Sequence, residues 1–408
     1  MTPNLDAFKT VFSNTYQEIF QKVPVGMKIA STRLLSDLYY GKAIERVLVD
    51  ISAANVEDIT AYSDMTGQTI SDSAETLTVD QNKGIMFQIS EREMVQAGPL
   101  NPAEFIGAQL AQKVALYFDA DVLYQTTSAL YDFDTGDLTT GSSTGTPITI
   151  NSTTVPQMVM RLPAKLRARN NQLINAGSNL AFVADAYTIA DIFQYLLGKN
   201  ADFVNALFQN GYVNEQIAGA KVYVSENITG EANLYTPQTP TDGDTVTING
   251  VTFTFNTTLT TTAGSVLISG SADAARANLV ALINTPGTST TYGTALSAAD
   301  VITLTKTLRL TASNNNSTDK MNIIGKGSGR LQVSGTLTNT NNTWSNNFVH
   351  CYFGKEGAID AVMQKDVKVD MRPEPKQPTT NVISRVLYGI KTFTDGSKKF
   401  LDVLINAN

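Results

Sequence analysis

The chain has 408 residues, 42% of them hydrophobic and only 16% charged, with a formal net charge of −7 and a pI near 4.9. The apolar share is enough for a packed core, which excludes a chain disordered throughout. The acidic balance argues against a basic groove that coats nucleic acid, since phosphate neutralisation takes clustered Lys and Arg, but it allows nucleic acid to be enclosed at a distance.

The first residues, MTPNLDAFKTVFSNTYQEIF, lack the basic-then-apolar order of a secretory signal, and no run approaches the roughly 20 apolar residues of a membrane span. A soluble protein made in a cytoplasm is expected. Residues 1–43 read as an arm. Phe8, Val11, Phe12, Tyr16, Ile19, Phe20 and Val23 fall near helical spacing, and Pro24 and Gly26 end that segment.

Residues 44–95 read as an extended loop, one long β-hairpin. Its outgoing limb starts at Ile44–Ile51, and its return limb runs from about Ala74 to Ile89. The polar stretch Tyr62–Asp72, with Gly67, is the natural tip. Limbs of roughly 15 residues span on the order of 50 Å. The return limb continues in LTVDQNKGIMFQISEREMVQAG (77–98), which alternates in two bursts around a turn-like DQNKG and ends in the charges Glu91, Arg92 and Glu93. A two-stranded ribbon is marginal in water, so its apolar face needs a surface to lie on.

Residues 96–153 hold the best helical signal, over 101–130. Asn101 suits the N-cap, Pro102 the first helical position and Glu104 the third. Phe105, Ile106, Leu110, Val114, Phe118, Val122 and Leu123 form its stripe. Residues 131–153 are a Gly/Ser/Thr-rich loop. From 154 to 235 the pattern is mixed α/β: a helix over about 155–169 that Pro163 should kink, a buried strand at Leu180–Ala186, a helix at Thr188–Gly198, and two strands joined at Gly219.

Thr, Ser, Asn and Gly dominate from about 236 to 345. Asp242–Phe255 reads as a hairpin with a type I′ turn at Asn249-Gly250, Ser271–Asn284 as a helix, and Val301–Ser313 as a strand. This predicts a compact ββαβ module inserted into a host domain, which residues 346–408 close.

Chemistry is sparse. The only histidine, His350, adjoins the only cysteine, Cys351, in the strand-like NFVHCYF, where neighbours point to opposite faces; a dyad is disfavoured against a buried pair. No disulfide framework is possible within the chain, and no His, Cys or carboxylate set has metal-site spacing. Asp242 and Asp244 read as turn residues. Gly325–Arg330, GKGSGR, lacks the Ser or Thr that a phosphate loop needs after its lysine and reads as a flexible surface turn. Lys165, Arg167 and Arg169 read as a solvated helix face. Glu91, Arg92 and Glu93 suit either ordinary surface or an inter-subunit contact. No enzyme and no cofactor are expected.

The order arm, long hairpin, spine helix, loop, mixed α/β domain resembles the major capsid proteins of tailed bacteriophages, whose fold is shared with herpesvirus capsid floors and encapsulins. LTVDQNKGIMFQISEREMVQAG resembles the return limb of that family's extended loop, and NPAEFIGAQLAQKVALYFDADVL its spine helix. GYVNEQIAGAKVYVSENI resembles its axial domain, and FGKEGAIDAVMQKDVKVDMRPEP with VLYGIKTFTDG its closing segments. Residues 242–325 resemble small β-rich modules of other phage surface proteins.

The resemblance implies an α+β fold with an N-terminal arm, an extended loop, a peripheral domain carrying the spine helix (96–153), an axial domain (154–235), an insertion domain (236–345) and a closing return (346–408). It implies a virion protein, assembled in the host cytoplasm, that builds hexamers and pentamers of an icosahedral shell around double-stranded DNA. The ribbon would lie on a neighbouring subunit, with Tyr62, Met65, Ile70, Lys83, Phe87, Glu91, Arg92 and Glu93 as candidate contacts. No charged coiled segment precedes the arm, so a separate scaffolding protein is expected, beside a portal and a possible decoration protein. Lys83 has no evident asparagine partner, so no covalent crosslink is expected. The alternatives are an encapsulin-type compartment and a tail or surface adhesin whose inserted module binds a glycan.

Overall fold

The computed structural model describes residues 24–36, 41–50, 71–96, 102–169, 179–197, 216–375 and 377–407. The helical reading of the arm before Pro24 and the hairpin tip lie outside them. The chain sorts into two compact units. One comprises 1–15, 31–114 and 359–393; the other comprises 16–30, 115–358 and 394–408. The helix Pro102–Tyr124 contributes its first half to one unit and its second half to the other.

In the smaller unit, Ile359–Pro373 and Thr379–Lys391 pair antiparallel, and Gln81–Ser90 adds to the second of these, in register from Gln81↔Tyr388 to Ser90↔Thr379. Alternation along 81–90 turns Ile85, Phe87 and Ile89 to one face. There they pack with Val369, Val382 and Leu110 of the helix. Gly107 permits the approach, because a Cβ there would lie 2.8 Å from Val369 Cγ1.

A separate two-stranded ribbon, Ala43–Asp50 with Ser71–Thr78, runs in register from Ala43↔Thr78 to Asp50↔Ser71. The single long hairpin expected from sequence is therefore corrected. Among the described residues, 71–78 returns along the outgoing limb, whereas 81–90 belongs to the three-strand core just described. DQNKG is not a turn either: residues 81–84 are strand, paired with 385–388. Their polarity marks an open sheet face, with Asn82 and Gly84 exposed. Glu91–Gln96 is a short helix.

The larger unit is built on Thr343–Lys355. One edge pairs first with Thr229–Tyr235 and then with Leu180–Ala184; the other pairs with Phe400–Asn406. Leu180–Ala184 is buried at all five positions, as its unbroken apolar run predicts. Helix Ala186–Leu197 leads from it, and Ala220–Val224 lies parallel beside it. The turn before that strand uses Ala218 and Gly219 at positive φ. Thr154–Arg169 is helical, with Pro163 inside it.

A four-stranded sheet follows, ordered Ser265–Leu267, Val251–Asn256, Thr245–Ile248, Val333–Thr336. Asn249 (φ 47°) and Gly250 (φ 84°) make the predicted tight turn. Ser271 caps helix Ala272–Asn284 by accepting the Ala274 N–H at 3.2 Å. Ala275, Leu279 and Leu282 of that helix pack with Phe253 and Phe255, but also with Leu234 and Ile323. The strands Leu310–Asn315 and Lys320–Gly325 extend the large sheet beyond Thr229–Tyr235. The 242–325 stretch thus shares one core with the strand before it.

Two sequence readings change here. Val301–Ser313 is not one strand: Ala298–Ile302 is α-helical, capped by Ser297, and strand begins only at Leu310. The alternation of VITLTKT is overridden by the cap, whose hydroxyl accepts the Asp300 N–H at 3.2 Å. The long helix ends at Tyr124, followed by a 3-10 turn over Gln125–Ser128, so its 23 residues make a rod of about 35 Å.

Candidate functional site

The ribbon is the feature that asks for a partner, and its base is firmly held. Leu77 and Val79 are buried with Leu34, Val362 and Phe393, and Ile44 packs against them. Asp360, 1% exposed, accepts two bonds from Arg33, Nε to Oδ1 and Nη2 to Oδ2, both at 2.9 Å. Arg46, on the outgoing strand, reaches the same carboxylate at 3.7 Å and lies 4.5 Å over the Phe393 ring. A bidentate guanidinium on a buried carboxylate fixes direction as well as distance. Lys391 Nζ donates to the Thr76 carbonyl at 2.8 Å. The strand 379–391 passes so close that a Cβ on Gly389 would sit 2.2 Å from the Thr78 carbonyl oxygen.

Above the base the burial stops. Val47 is 64% exposed, Ala74 opposite it is exposed as well, and so are Ser73 and Asp72 beside Ala74 on the return strand. An anchored ribbon with an exposed β-branched side chain is a surface that the described residues leave uncovered. Met86, 57% exposed, and Met371, 46% exposed, add apolar area on the neighbouring strands.

The sequence-predicted contact residues are scattered along this region. Tyr62, Met65 and Ile70 lie outside the described residues. Lys83 is half-buried on the 81–90 strand, opposite Val386. Phe87 is half-buried against Ile89, Leu110 and Val382. Glu91 and Arg92 are exposed on the short helix; Glu93 shares that helix, and its side chain is outside the description. Val47 and Asp360 were not singled out from sequence. Alternation in IERVLVDI points to Val47 as one face of a strand, but nothing local says which face is left open.

The larger unit holds the titratable chemistry. His350 is 6% exposed; its Nδ1 lies 2.7 Å from Asp402 and its Nε2 lies 3.3 Å from Glu231. Burial alone would lower its pKa, but the two carboxylates outweigh burial and push it up to about 10. Burial holds the Asp402 carboxyl up, against the pull of His350, and does the same for Asp132, with Asp402 adding to it. Cys351 faces away from this cluster, fully buried, and burial drives its thiol well above the usual range. A low-pKa, accessible thiolate is what reactive cysteines need, and this one has neither property. Among the described residues, no group of three His, Cys, Asp or Glu is arranged to hold a metal.

The GKGSGR stretch is not a loose surface turn. Lys326 lies 4.0 Å over the Tyr124 ring, and a Cβ on Gly327 (φ 72°) would meet Ala120 Cβ at 2.5 Å. Arg330 Nε donates to Asp185 at 2.7 Å and Nη2 to Thr188 at 3.1 Å. Arg309, itself at φ 51°, stacks 3.7 Å over Tyr117 and pairs with Asp121. Four cationic or glycine positions thus grip the second half of the long helix and the start of helix Ala186–Leu197. Lys165 likewise leaves the solvated face expected of it: it pairs with Asp137 at 2.6 Å.

No protein-family model matches the sequence, and no curated protein matches it. Solved structures do. A chain of Mycobacterium phage Che8 is 12% identical, with 98% of this chain and 96% of that one covered at a TM-score of 0.50. The capsid structure of the cyanophage P-SCSP1u is 11% identical, covering 98% and 93% at 0.51. The mature capsid of bacteriophage PhiM1 is 11% identical, covering 97% and 91% at 0.51. Among the described residues, no helix is long and apolar enough to cross a membrane. At these identities the likeness speaks to architecture, and over nearly its whole length the chain has the fold of phage capsid proteins.

Proposed function

We propose that this chain is the major capsid protein of a tailed phage, a structural protein that assembles through hexamers and pentamers into an icosahedral shell enclosing double-stranded DNA. The observation that carries the reading is the ribbon. It is clamped at Asp360 and Gly389, yet it leaves Val47 64% exposed. Laid on the next copy, it makes a heterologous contact that closes as a ring. Large obligate interfaces bury over roughly 2,000 Å² in total, and the candidate contacts Tyr62, Met65, Ile70, Lys83, Phe87, Glu91, Arg92 and Glu93 take part with the ribbon.

In this reading residues 43–78 are the tip-bearing part of the extended loop, 102–124 is the spine, and 236–345 is an insertion. DNA is enclosed without sequence-specific binding, consistent with the net charge of −7. A separate scaffolding protein and a portal serve assembly, and a decoration protein is a further possible partner. Assembly takes place in the host cytoplasm.

Light scattering and negative-stain microscopy on the purified chain, alone and with its neighbouring gene products, test this. Closed shells of megadalton mass are expected. A 43.9 kDa monomer under every condition, or elongated trimers only, overturns the reading and favours an adhesin. Shells that load an enzyme cargo favour a compartment. Deleting Met65–Ile70 should abolish shells while the monomer stays folded.

A further inference from the structure

Asp360 is shared between two stretches of the smaller unit. Its carboxylate is 1% exposed, so it depends on charged partners from the chain. Among the described residues two guanidiniums lie within ion-pair reach of it, and they are held unequally. Arg33, in the described part of the arm, takes both oxygens, Nε to Oδ1 and Nη2 to Oδ2, each at 2.9 Å. Arg46, on the outgoing ribbon strand, stops 3.7 Å from Oδ2, beyond a hydrogen bond.

Each arginine answers for a different element. Leu34, next to Arg33, is buried with Leu77, Val79, Val362 and Phe393, which places this part of the arm under the ribbon's base. Arg46 stands opposite Glu75 of the return strand, and its guanidinium lies 4.5 Å over the buried Phe393 ring. Lys391 is in strand register with Asp360, lies 5.5 Å from the same ring and gives its ammonium to the Thr76 carbonyl. Both ribbon strands thus meet one ring, each through a cation.

The inequality sets a direction of change. While Arg33 forks across both oxygens, Arg46 is left on a long pair. Drawing Arg33 away would leave a buried carboxylate short of a partner, which is costly, and Arg46 is the cation already within reach. Arg33 is the more exposed of the two, with its side chain 48% exposed against 30% for Arg46.

We propose that Asp360 is a shared carboxylate through which the arm sets how tightly the ribbon is held. With Arg33 seated, the ribbon rests on the longer, weaker pair. When Arg33 is drawn off, Asp360 passes to Arg46 and the ribbon tightens on its base. The coupling belongs to the single chain; that it stiffens the ribbon once the arm engages a neighbouring copy rests on the capsid reading.

Amide exchange at 43–50 and 71–78 is followed by mass spectrometry in the purified, unassembled chain. Arg33→Gln should slow exchange there about tenfold, the gain of one charge-assisted hydrogen bond. Arg33→Lys, which keeps the charge but cannot fork across both oxygens, should slow it less. Arg46→Gln should speed exchange, and adding Arg33→Gln to it should bring no slowing. An Arg33 that only props the fold gives the opposite sign. Ribbon exchange at the parent rate or faster in Arg33→Gln therefore overturns the coupling, and so does slowing that survives in the double variant, which would point to Lys391 instead. If Arg33→Gln unfolds the chain, the sign of the change in Arg33→Lys decides. Shells that fail to form would overturn the capsid reading and leave this measurement standing.

Discussion

His350 Nδ1 lies 2.7 Å from Asp402 Oδ2, in the interior of the large sheet, with Glu231 closing the other ring nitrogen at 3.3 Å. Both bonds are diagonal across strands, since His350 is in register with Thr229 on one side and Leu404 on the other. The chain's one histidine thus joins three adjacent strands as an imidazolium between two carboxylates.

This makes stability pH-dependent with a defined sign. The folded pKa of His350, about 10, is above its ordinary 6.5. Its contribution is complete below about 6.5 and is lost as pH rises to about 10. Asp402 and Asp132, also raised, act in the same direction at lower pH: the folded state binds their protons more tightly. The thermal midpoint of the parent should fall between pH 6.5 and pH 10, and His350→Gln should flatten that slope. At neutral pH the substitution should cost roughly 3–5 kcal/mol, because it leaves two buried acceptors facing an uncharged amide. A parallel slope in both chains would show that other groups govern the dependence.

Gly389→Ala tests the clamp at the ribbon's base. The added Cβ would meet the Thr78 carbonyl oxygen at 2.2 Å, and that oxygen is backbone, so it cannot swing aside. Overpacking of this kind costs about 1–3 kcal/mol. The expected outcome is a lower thermal midpoint with faster amide exchange at 71–78. Unchanged exchange there would mean that the ribbon yields without loss.

How much of this was legible in the sequence depends on where the deciding contact lay. Asn249-Gly250, the Ser271–Asn284 helix and the buried LAFVA strand are local signals, and each reads correctly. The 81–90 strand does not, because its partner is 379–391, some three hundred residues away, and DQNKG carries no mark of that pairing. Thr229–Tyr235 was missed for the same reason: TGEANLY is polar, yet it lies between two strands that cover both its edges. His350 was read as buried, but its two carboxylates come from positions 231 and 402.

Gly327→Ala separates a packed turn from a loose one. The position has φ 72°, and its Cβ would meet Ala120 Cβ at 2.5 Å on the long helix. Left-handed backbone costs a non-glycine residue roughly 1–2 kcal/mol, and the clash adds to it. A loss of about 2–4 kcal/mol in urea unfolding is expected. A loss under about 0.5 kcal/mol, the range of ordinary surface changes, would restore the reading of GKGSGR as a flexible turn.

Val47→Asp is the sharpest test of the ribbon, because it separates folding from assembly. Val47 is 64% exposed and opposite exposed Ala74, so an aspartate there meets water in the isolated chain. Substitutions at such positions usually change stability by no more than about 0.5 kcal/mol. The same side chain in an interface would be a buried, unpaired charge, which costs several kcal/mol per copy. In the proposed shell, ring contacts would repeat that cost around every capsomer. The variant should therefore unfold at the parent's temperature and yet fail to form closed shells by light scattering. Parent-like shells from Val47→Asp would place this face of the ribbon in solvent and move the inter-subunit contact elsewhere.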